Sequence, residues 1–430
     1  MAITAKDEIK KTVGIGTENV KIPAGFKLAE LDGNPHDCLF GDFFISRPAK
    51  KNISTEDYVT FLGMNDISEH GGVLRQHSIR ASEVKAGLTV FERFDILVAK
   101  ITPCFENGKG ACLDLLETMV GFGSTEFHVL RAKPQVAPRY IYYHTRLLNF
   151  RRQLEREMIG TAGQKRVPMK AIENYRLQVK HSYLEQQAIA AILSDIDSLI
   201  TSLEQLIAKK RDIKQATMQR LLTGKQRLPG FTGEWSFKTL GHCLMETPAY
   251  GINAPAVPYQ DNLPRYIRIT DITEDGYFST EKLSSVKTIN SEKYLLTDGD
   301  LVFARTGASV GKSYLYNSKD GHLVFAGFLI KVKPNPKYLL SNFLASYAKT
   351  HQYKNWVRLI SMRSGQPGIN GNEYAQMPLQ LPGLSEQHAI ANILSDMNTE
   401  ITALEQQLDK TRDLKQGMMQ ELLTGRIRLK

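Results

Sequence analysis

At 430 residues, 42% of them hydrophobic and 23% charged, the chain is too long for one ordinary domain, and its composition is not that of a disordered polymer. Lys and Arg outnumber Asp and Glu by 55 to 45, a net +10 with an isoelectric point near 9.2, so an acidic partner is the first class to test. No stretch of 18 uncharged apolar residues occurs, which argues against a transmembrane helix. Cys38, Cys104, Cys112 and Cys243 show neither CxxC spacing nor the density of a disulfide scaffold. The first sixteen residues have no apolar core behind their lysines and do not read as a secretory leader, so a reduced, cytoplasmic protein is expected.

Residues 1–180 read as a first globular unit of mixed α+β character. Strand-like runs lie at Phe61-Leu62-Gly63-Met64-Asn65-Asp66-Ile67 and at Asp95-Ile96-Leu97-Val98-Ala99-Lys100, and Gly163-Gln164 falls in a polar loop. A long helix follows over 181–228, then a second unit over 229–383 and a second helix over 384–430. The two helical blocks are copies. From Glu185 and from Glu386, 27 of 44 positions are identical at a constant offset of 201, without a gap. The units correspond more loosely: Asp300-Leu301-Val302-Phe303-Ala304-Arg305 parallels the run at Asp95, and Gly365-Gln366 parallels Gly163-Gln164. Two readers of different targets on a common frame would explain helices that stayed alike while the units drifted apart.

In the first block, apolar residues at Ile189, Ile192, Ile196, Leu199, Leu203, Leu206 and Ile213 step by three and four, the 3.5-residue period of a coiled-coil seam, with Lys210 in one slot. The second block gives Ile390, Leu394, Met397, Ile401, Leu404, Leu408 and Leu414, with Thr411 in the polar slot. Gly224 and Gly425 are placed to cap the two C-termini. Some 40 helical residues span about 60 Å. A helix that long with one apolar stripe needs a partner, and the duplicate is the obvious one. Packed antiparallel, the pair becomes a spacer with a pseudo-twofold axis, as in dimeric DNA readers that match half-site spacing. A helical hairpin that merely fills a core is the alternative.

Positive charge is concentrated at matching places. Residues 131–180 hold 12 basic and 3 acidic side chains, and residues 331–380 hold 7 and 1. Gln164, Lys165, Arg166, Arg363 and Gln366 sit in loops suited to base edges, while Arg151, Arg152, Lys354 and Arg358 suit phosphates. Gly307–Ser313 resembles a phosphate-binding loop but is one residue short, so it reads as a turn after a strand, with Lys312 and its counterpart Lys109 near phosphate. The ten histidines show no HxxxH or cysteine partners, and no metal site or catalytic constellation is read. Asp66, Asp95, Asp271 and Asp300 recur in both units beside apolar strands, where turn or cap roles come before catalytic ones.

Two unlike units alternating with two near-identical helices resemble the specificity subunits of Type I restriction–modification enzymes. The resemblance rests on Leu184-Glu185-Gln186-Gln187-Ala188-Ile189-Ala190 with Leu193-Ser194-Asp195, and on Ser385-Glu386-Gln387-His388-Ala389-Ile390-Ala391 with Leu394-Ser395-Asp396. Leu-Leu-Thr-Gly followed by Arg227-Leu228 or Arg428-Leu429 adds to it, as does Asp300–Gly307 with Gly311-Lys312. It implies two target-recognition domains, each reading half of a split, asymmetric double-stranded DNA site, with the helices setting the gap and docking two modification subunits. Those partners would bring S-adenosylmethionine, and motor-nuclease restriction subunits would bring ATP and Mg, leaving this chain without a cofactor of its own. One departure bears on the entry into the first helix: His181-Ser182-Tyr183 precedes Leu184, where the family shows a Leu-Pro turn that the second copy keeps as Leu381-Pro382-Gly383. The competing class is a self-contained DNA-modifying or DNA-cleaving enzyme with an unrecognised site. A coiled-coil scaffold without nucleic acid is a third.

Overall fold

The computed structural model describes residues 28–30, 38–49, 51, 53–161, 163–288, 291–362 and 366–429. The chain divides into two compact units, Met1–Glu204 with Gln406–Lys430, and Gln205–Glu405. Each long helix therefore contributes one half to each unit.

The first unit opens with β1 (Leu28–Glu30), β2 (Cys38–Leu39), β3 (Phe44–Ile45), β4 (Tyr58–Leu62), β5 (His77–Arg80) and β6 (Thr89–Glu92). It continues with β7 (Ile96–Ala99), β8 (Gly110–Cys112), β9 (Val120–Gly123) and β10 (Phe127–Ala132). Helices α1 (Pro138–Arg146), α2 (Leu148–Glu155) and α3 (Met169–Glu173), the strand β11 (Arg176–Leu177) and the first half of the long α4 (Tyr183–Leu221) follow. One four-stranded sheet runs β3-β10-β7-β8, all antiparallel; the other runs β5-β4-β9-β6, with β4 and β9 parallel. The unbroken apolar run of β7 is buried on both faces, as expected of a strand covered on two sides. Its alternate residues serve two cores: Ile96 and Val98 face the one that contains α1 and α4, Leu97 and Ala99 the one under the second sheet.

The second unit repeats this plan. Its strands are β12 (Ser236–Thr239), β13 (Ala249–Tyr250), β14 (Ala256–Pro258), β15 (Arg265–Ile267), β16 (Ser284–Val286) and β17 (Leu301–Ala304). They are followed by β18 (Ser313–Leu315), β19 (Leu323–Phe325), β20 (Leu329–Val332), α5 (Ser341–Tyr347), α6 (His351–Ile360), α7 (Gly371–Ala375), β21 (Pro378–Leu381) and the long α8 (Leu384–Leu423). The sheet β13-β20-β17-β18 mirrors the first unit's order, and β15 pairs parallel with β19 as β4 does with β9. β17 also splits its side chains between two cores, Leu301 and Phe303 to one, Val302 and Ala304 to the other. The terminal β22 (Ile427–Leu429) pairs with β1 in the first unit. Mixed strands and helices in two related units with two long helices make this an α+β protein.

The halves of the long helices pack antiparallel inside each unit, and their polar contacts repeat at the 201-residue offset. In the first unit Arg412 pairs with Glu204, Lys415 with Asp197 and Arg428 with Glu185. In the second, Arg211 pairs with Glu405, Lys214 bonds Asn398 and Arg227 pairs with Glu386. Ile189, Ile196, Leu203 and Ile390 are buried, and Met397 and Leu404 half-buried. The seam of α4 needs a correction. Leu199, Leu206 and Ile213 are 39%, 39% and 42% exposed, whereas Leu193 and Ile207 are buried and Ile200 packs against the core. Ile192 is buried as the seam requires, but beyond Ile196 the stripe steps by four to Ile200, and beyond Leu203 by four to Ile207, so the contacts at Leu199 and Leu206 move on by one residue.

Both helices end on a left-handed glycine, Gly224 at φ 69° and Gly425 at φ 74°, a conformation in which a Cβ is penalised. Their starts differ. Ser182 and Glu185 form a capping box on α4, with Ser182 N–H donating to the Glu185 carboxylate at 3.2 Å and Glu185 N–H to Ser182 Oγ at 3.3 Å. At α8 the Glu386 N–H donates instead to the Gly383 carbonyl at 3.0 Å, whereas the Gln387 N–H bond to Gly383 matches that of Gln186 to the Ser182 carbonyl on α4.

Candidate nucleic-acid interface

In each unit the loop after the doubly buried strand is bridged to a glutamine-bearing loop. In the first, Thr102 N–H donates to the Lys165 carbonyl at 3.0 Å, Val167 N–H to Lys100 at 2.8 Å, and Ile101 and Arg166 form a β-bridge. In the second, Gly307 N–H donates to Pro367 at 3.0 Å, Ile369 N–H to Arg305 at 2.9 Å, and Thr306 bridges Gly368. Gln164 and Gln366 thus occupy equivalent places, as the parallel between Gly163-Gln164 and Gly365-Gln366 in the sequence suggests.

The first unit's loop is a hairpin closed by the reciprocal bonds of Ile159 and Arg166, at 3.0 and 2.8 Å. Gln164 and Lys165 are exposed near its tip. Arg166 is engaged: its guanidinium meets Glu126 at 2.9–3.2 Å, and these hydrogen bonds hold the Glu126 carboxyl below the usual carboxylate range. Arg152, Arg156 and Lys165 line a hollow of about 360 Å³ together with Glu106, Glu155 and Met158. Arg151 turns inward, donating to the Glu106 carbonyl at 3.2 Å. Beside it Arg146 donates to Gly108 and Glu69, and a Cβ at Gly108 would collide with both guanidinium groups. Lys109 reaches the Met64 carbonyl at 3.1 Å.

In the second unit a cleft of about 1100 Å³ is bounded by the turn 307–313 and by α6. Lys354 and Arg358, one turn apart on α6, line it, are exposed, and form no ion pair among the described residues. Lys312 reaches Glu274 at 2.5 Å. Gln366 is exposed, its amide nitrogen against Gly307; Arg363 lies outside the described residues. The short glycine-rich turn is no phosphate cradle: the N–H groups of Gly307, Val310, Gly311 and Lys312 all donate to carbonyls of the chain itself.

Sequence reasoning passed over Arg305. Its guanidinium lies 4.9 Å from the Tyr250 ring centroid, at the head of the loop pair. Its place after the repeated Asp300–Ala304 strand, opposite Lys100 in the first copy, was the available signal. The four recurring aspartates are caps. Asp66, Asp95, Asp271 and Asp300 each accept the N–H three residues earlier, from Gly63, Glu92, Arg268 and Thr297, at 2.7–2.9 Å. Among the described residues no group of three His, Cys, Asp or Glu side chains converges on a metal position, and no helix is long and apolar enough to cross a membrane.

Two units of one topology, each presenting a bridged loop pair and, among the described residues, exposed cations without an ion pair, define an internally duplicated α+β class of protein. The model of the family described as Type I restriction modification DNA specificity domain matches residues 46–213 and 258–411, and the chain belongs to that family. The Type I restriction enzyme EcoAI specificity subunit of Escherichia coli is 34% identical over 186 residues, 42% of this chain and 31% of the relative, so the match spans about a third of that protein's length. The fold is shared with two solved structures. One, from work on complex assembly and conformational transition of the type I R-M system, has a TM-score of 0.55 at 17% identity, covering 94% of this chain and 98% of the other. The second, the Type-I restriction-modification system S subunit from M. genitalium, has a TM-score of 0.52 at 14% identity, with the same coverage of 94% and 98%.

Proposed function

We propose that the chain is the DNA-reading, non-catalytic subunit of a Type I restriction–modification complex working in the cytoplasm. Each unit reads one half of a bipartite, asymmetric duplex site. The domains of this reading are 1–180 and 229–383 as recognition domains, with 181–228 and 384–430 as spacer helices that dock two modification subunits. Restriction subunits join the same assembly, and S-adenosylmethionine, ATP and Mg belong to the partners.

The observation that carries this reading is the bridged loop pair, built the same way at the ends of β7 and β17 but dressed with different side chains. A common frame with unlike tips is what two readers of different half-sites require. Gln164, Lys165, Gln366 and Arg363 are the base-reading candidates, and Arg152, Lys354 and Arg358 the phosphate contacts. Arg151, Arg166, Lys109 and Lys312 are each engaged within the chain and act by positioning the loops.

Selection of bound duplexes from a random library by the full chain tests it. Enrichment of two short half-sites at one fixed gap is the expected result. Salt-dependent binding with no sequence enrichment would overturn the reading.

A further inference from the structure

The duplication supplies an internal control for the large cleft of the second unit. In the first unit Lys415 meets the Asp197 carboxylate at 2.5 Å, and Tyr143 Oη donates to the same carboxylate at 2.8 Å. The matching lysine 201 positions earlier, Lys214, finds an amide instead: its Nζ donates to Asn398 Oδ1 at 2.7 Å, and Asn398 Nδ2 donates to Tyr277 Oη at 2.9 Å. The position equivalent to Asp197 holds a neutral amide, Asn398, and the carboxylates that still act on Lys214 are those of Asp275 and Glu405.

Lys214 has a cationic neighbour. Lys349, half-buried just past α5, lines the same cleft, donates to the Asp275 carbonyl at 2.6 Å and lies 5.3 Å from the Tyr277 ring centroid. Burial lowers the pKa of both lysines; Asp275 and Glu405 act against it at Lys214, and at Lys349 the charge of Lys214 adds to it while Asp275 opposes. The other cations deep in the cleft are engaged, Arg211 by Glu405 and Lys312 by Glu274. Lys354 and Arg358 stand exposed on the α6 wall. Two partly desolvated ammonium groups sharing one cleft, each held by a neutral acceptor, are stabilised by an anion between them.

We propose that this cleft seats a phosphoryl group between Lys214 and Lys349, and that the first unit, where Asp197 holds the corresponding lysine, has no such seat. The group is a backbone phosphate of the duplex or a free oligophosphate; the chemistry recognised is the same. The free-oligophosphate form goes beyond the proposed function, and the backbone-phosphate form rests on that reading.

Asn398→Asp in the full chain gives the second unit the carboxylate the first already has, at nearly unchanged volume. Pyrophosphate is titrated calorimetrically into wild type, Asn398→Asp and Lys214→Gln, and duplex binding is followed across salt concentrations. For a free oligophosphate, wild type binds pyrophosphate and each substitution weakens binding about tenfold or more. For a backbone phosphate, each substitution flattens the log–log salt dependence of duplex binding by about 0.9. Either result supports the seat, and the thermal midpoint of each variant shows that it is folded. Pyrophosphate binding that is absent or equal in all three proteins, together with an unchanged salt slope, overturns it. Duplex binding that persists unaltered in that case leaves the proposed function standing. A chain that takes pyrophosphate through these residues but no DNA would do the reverse.

Discussion

Arg428 grips Glu185 with two arms of its guanidinium, Nε to one carboxylate oxygen at 2.8 Å and Nη2 to the other at 2.6 Å, across 243 positions of sequence. Arg227 holds Glu386 in the same way, at 2.6 Å on both arms. Each arginine follows the end of one long helix and each glutamate lies in the first turn of the other, so the pairs tie the antiparallel halves together. Burial works against the Glu185 carboxylate, but the Arg428 hydrogen bonds, the Ser182 N–H and His181 outweigh it and hold its pKa below the usual range. Its partner removed, the carboxylate would be left buried and uncompensated. Arg428→Met therefore costs about 3 kcal/mol in denaturant unfolding, and Arg428→Met with Glu185→Met recovers most of that loss. Equal losses in the single and double variants would show that the arginine acts by packing alone.

His144 gives the first unit a dependence on acid. It is buried in the aromatic cluster of Phe40 and Tyr140, neither ring nitrogen has a hydrogen-bond partner among the described residues, and burial pushes its pKa down to about 3. His181, bonded to Tyr140 Oη at 2.7 Å, is lowered to about 4, again mainly by burial. A histidine kept neutral in the fold binds its proton more readily when unfolded. Stability is therefore lost as pH falls from about 6.5 towards the folded pKa, roughly 1.4 kcal/mol per unit for each such group. Between pH 6.5 and 5 the His144 contribution is about 2 kcal/mol. His144→Phe should flatten the profile, because the second unit accepts the aromatic Tyr347 in the buried end of its corresponding helix. An unchanged slope in urea unfolding across that range would remove His144 from the account.

The corrected seam separates two neighbouring residues. Ile207 is buried and Leu206 is not. Ile207→Ala should cost about 2–4 kcal/mol, and Leu206→Ala less than about 1. Equal costs would restore the seam as first read.

That correction also marks how far the sequence could be read. The duplication, the two α+β units, the helix caps and the capping aspartates were visible, because local patterns of charge and apolar spacing carry them. Even the true seam was visible in the second copy, where Glu400 and Gln407 stand opposite Leu199 and Leu206 and mark those positions as facing water. The first copy alone misled, since Leu and Ile at neighbouring positions let a step of three and a step of four look alike. The division of each long helix between two units had no local signal. Nor did the inward turn of Arg151, which depends on the space that Gly108 leaves beside it.

The loop pair and α6 make different predictions for specificity and for affinity. Lys354 and Arg358 have no ion-pair partner among the described residues, so a phosphate contact there would break no existing ion pair. Lys354→Ala and Arg358→Ala should each weaken binding to all duplexes alike and lower the salt slope by about 0.9. Gln366, bridged into the loop frame beside Gly307, should instead govern one position of its half-site, and Gln366→Ala should relax that position by about 1–3 kcal/mol while the salt slope holds. Arg166→Ala separates the two effects in the first unit. Glu126 would lose its partner and the hairpin its anchor, so discrimination across the whole first half-site should fall while the second half-site is read as before. Competition binding against single-position duplex variants at two salt concentrations measures all four. A Gln366 variant that loses affinity uniformly would move that loop from base reading to backbone contact.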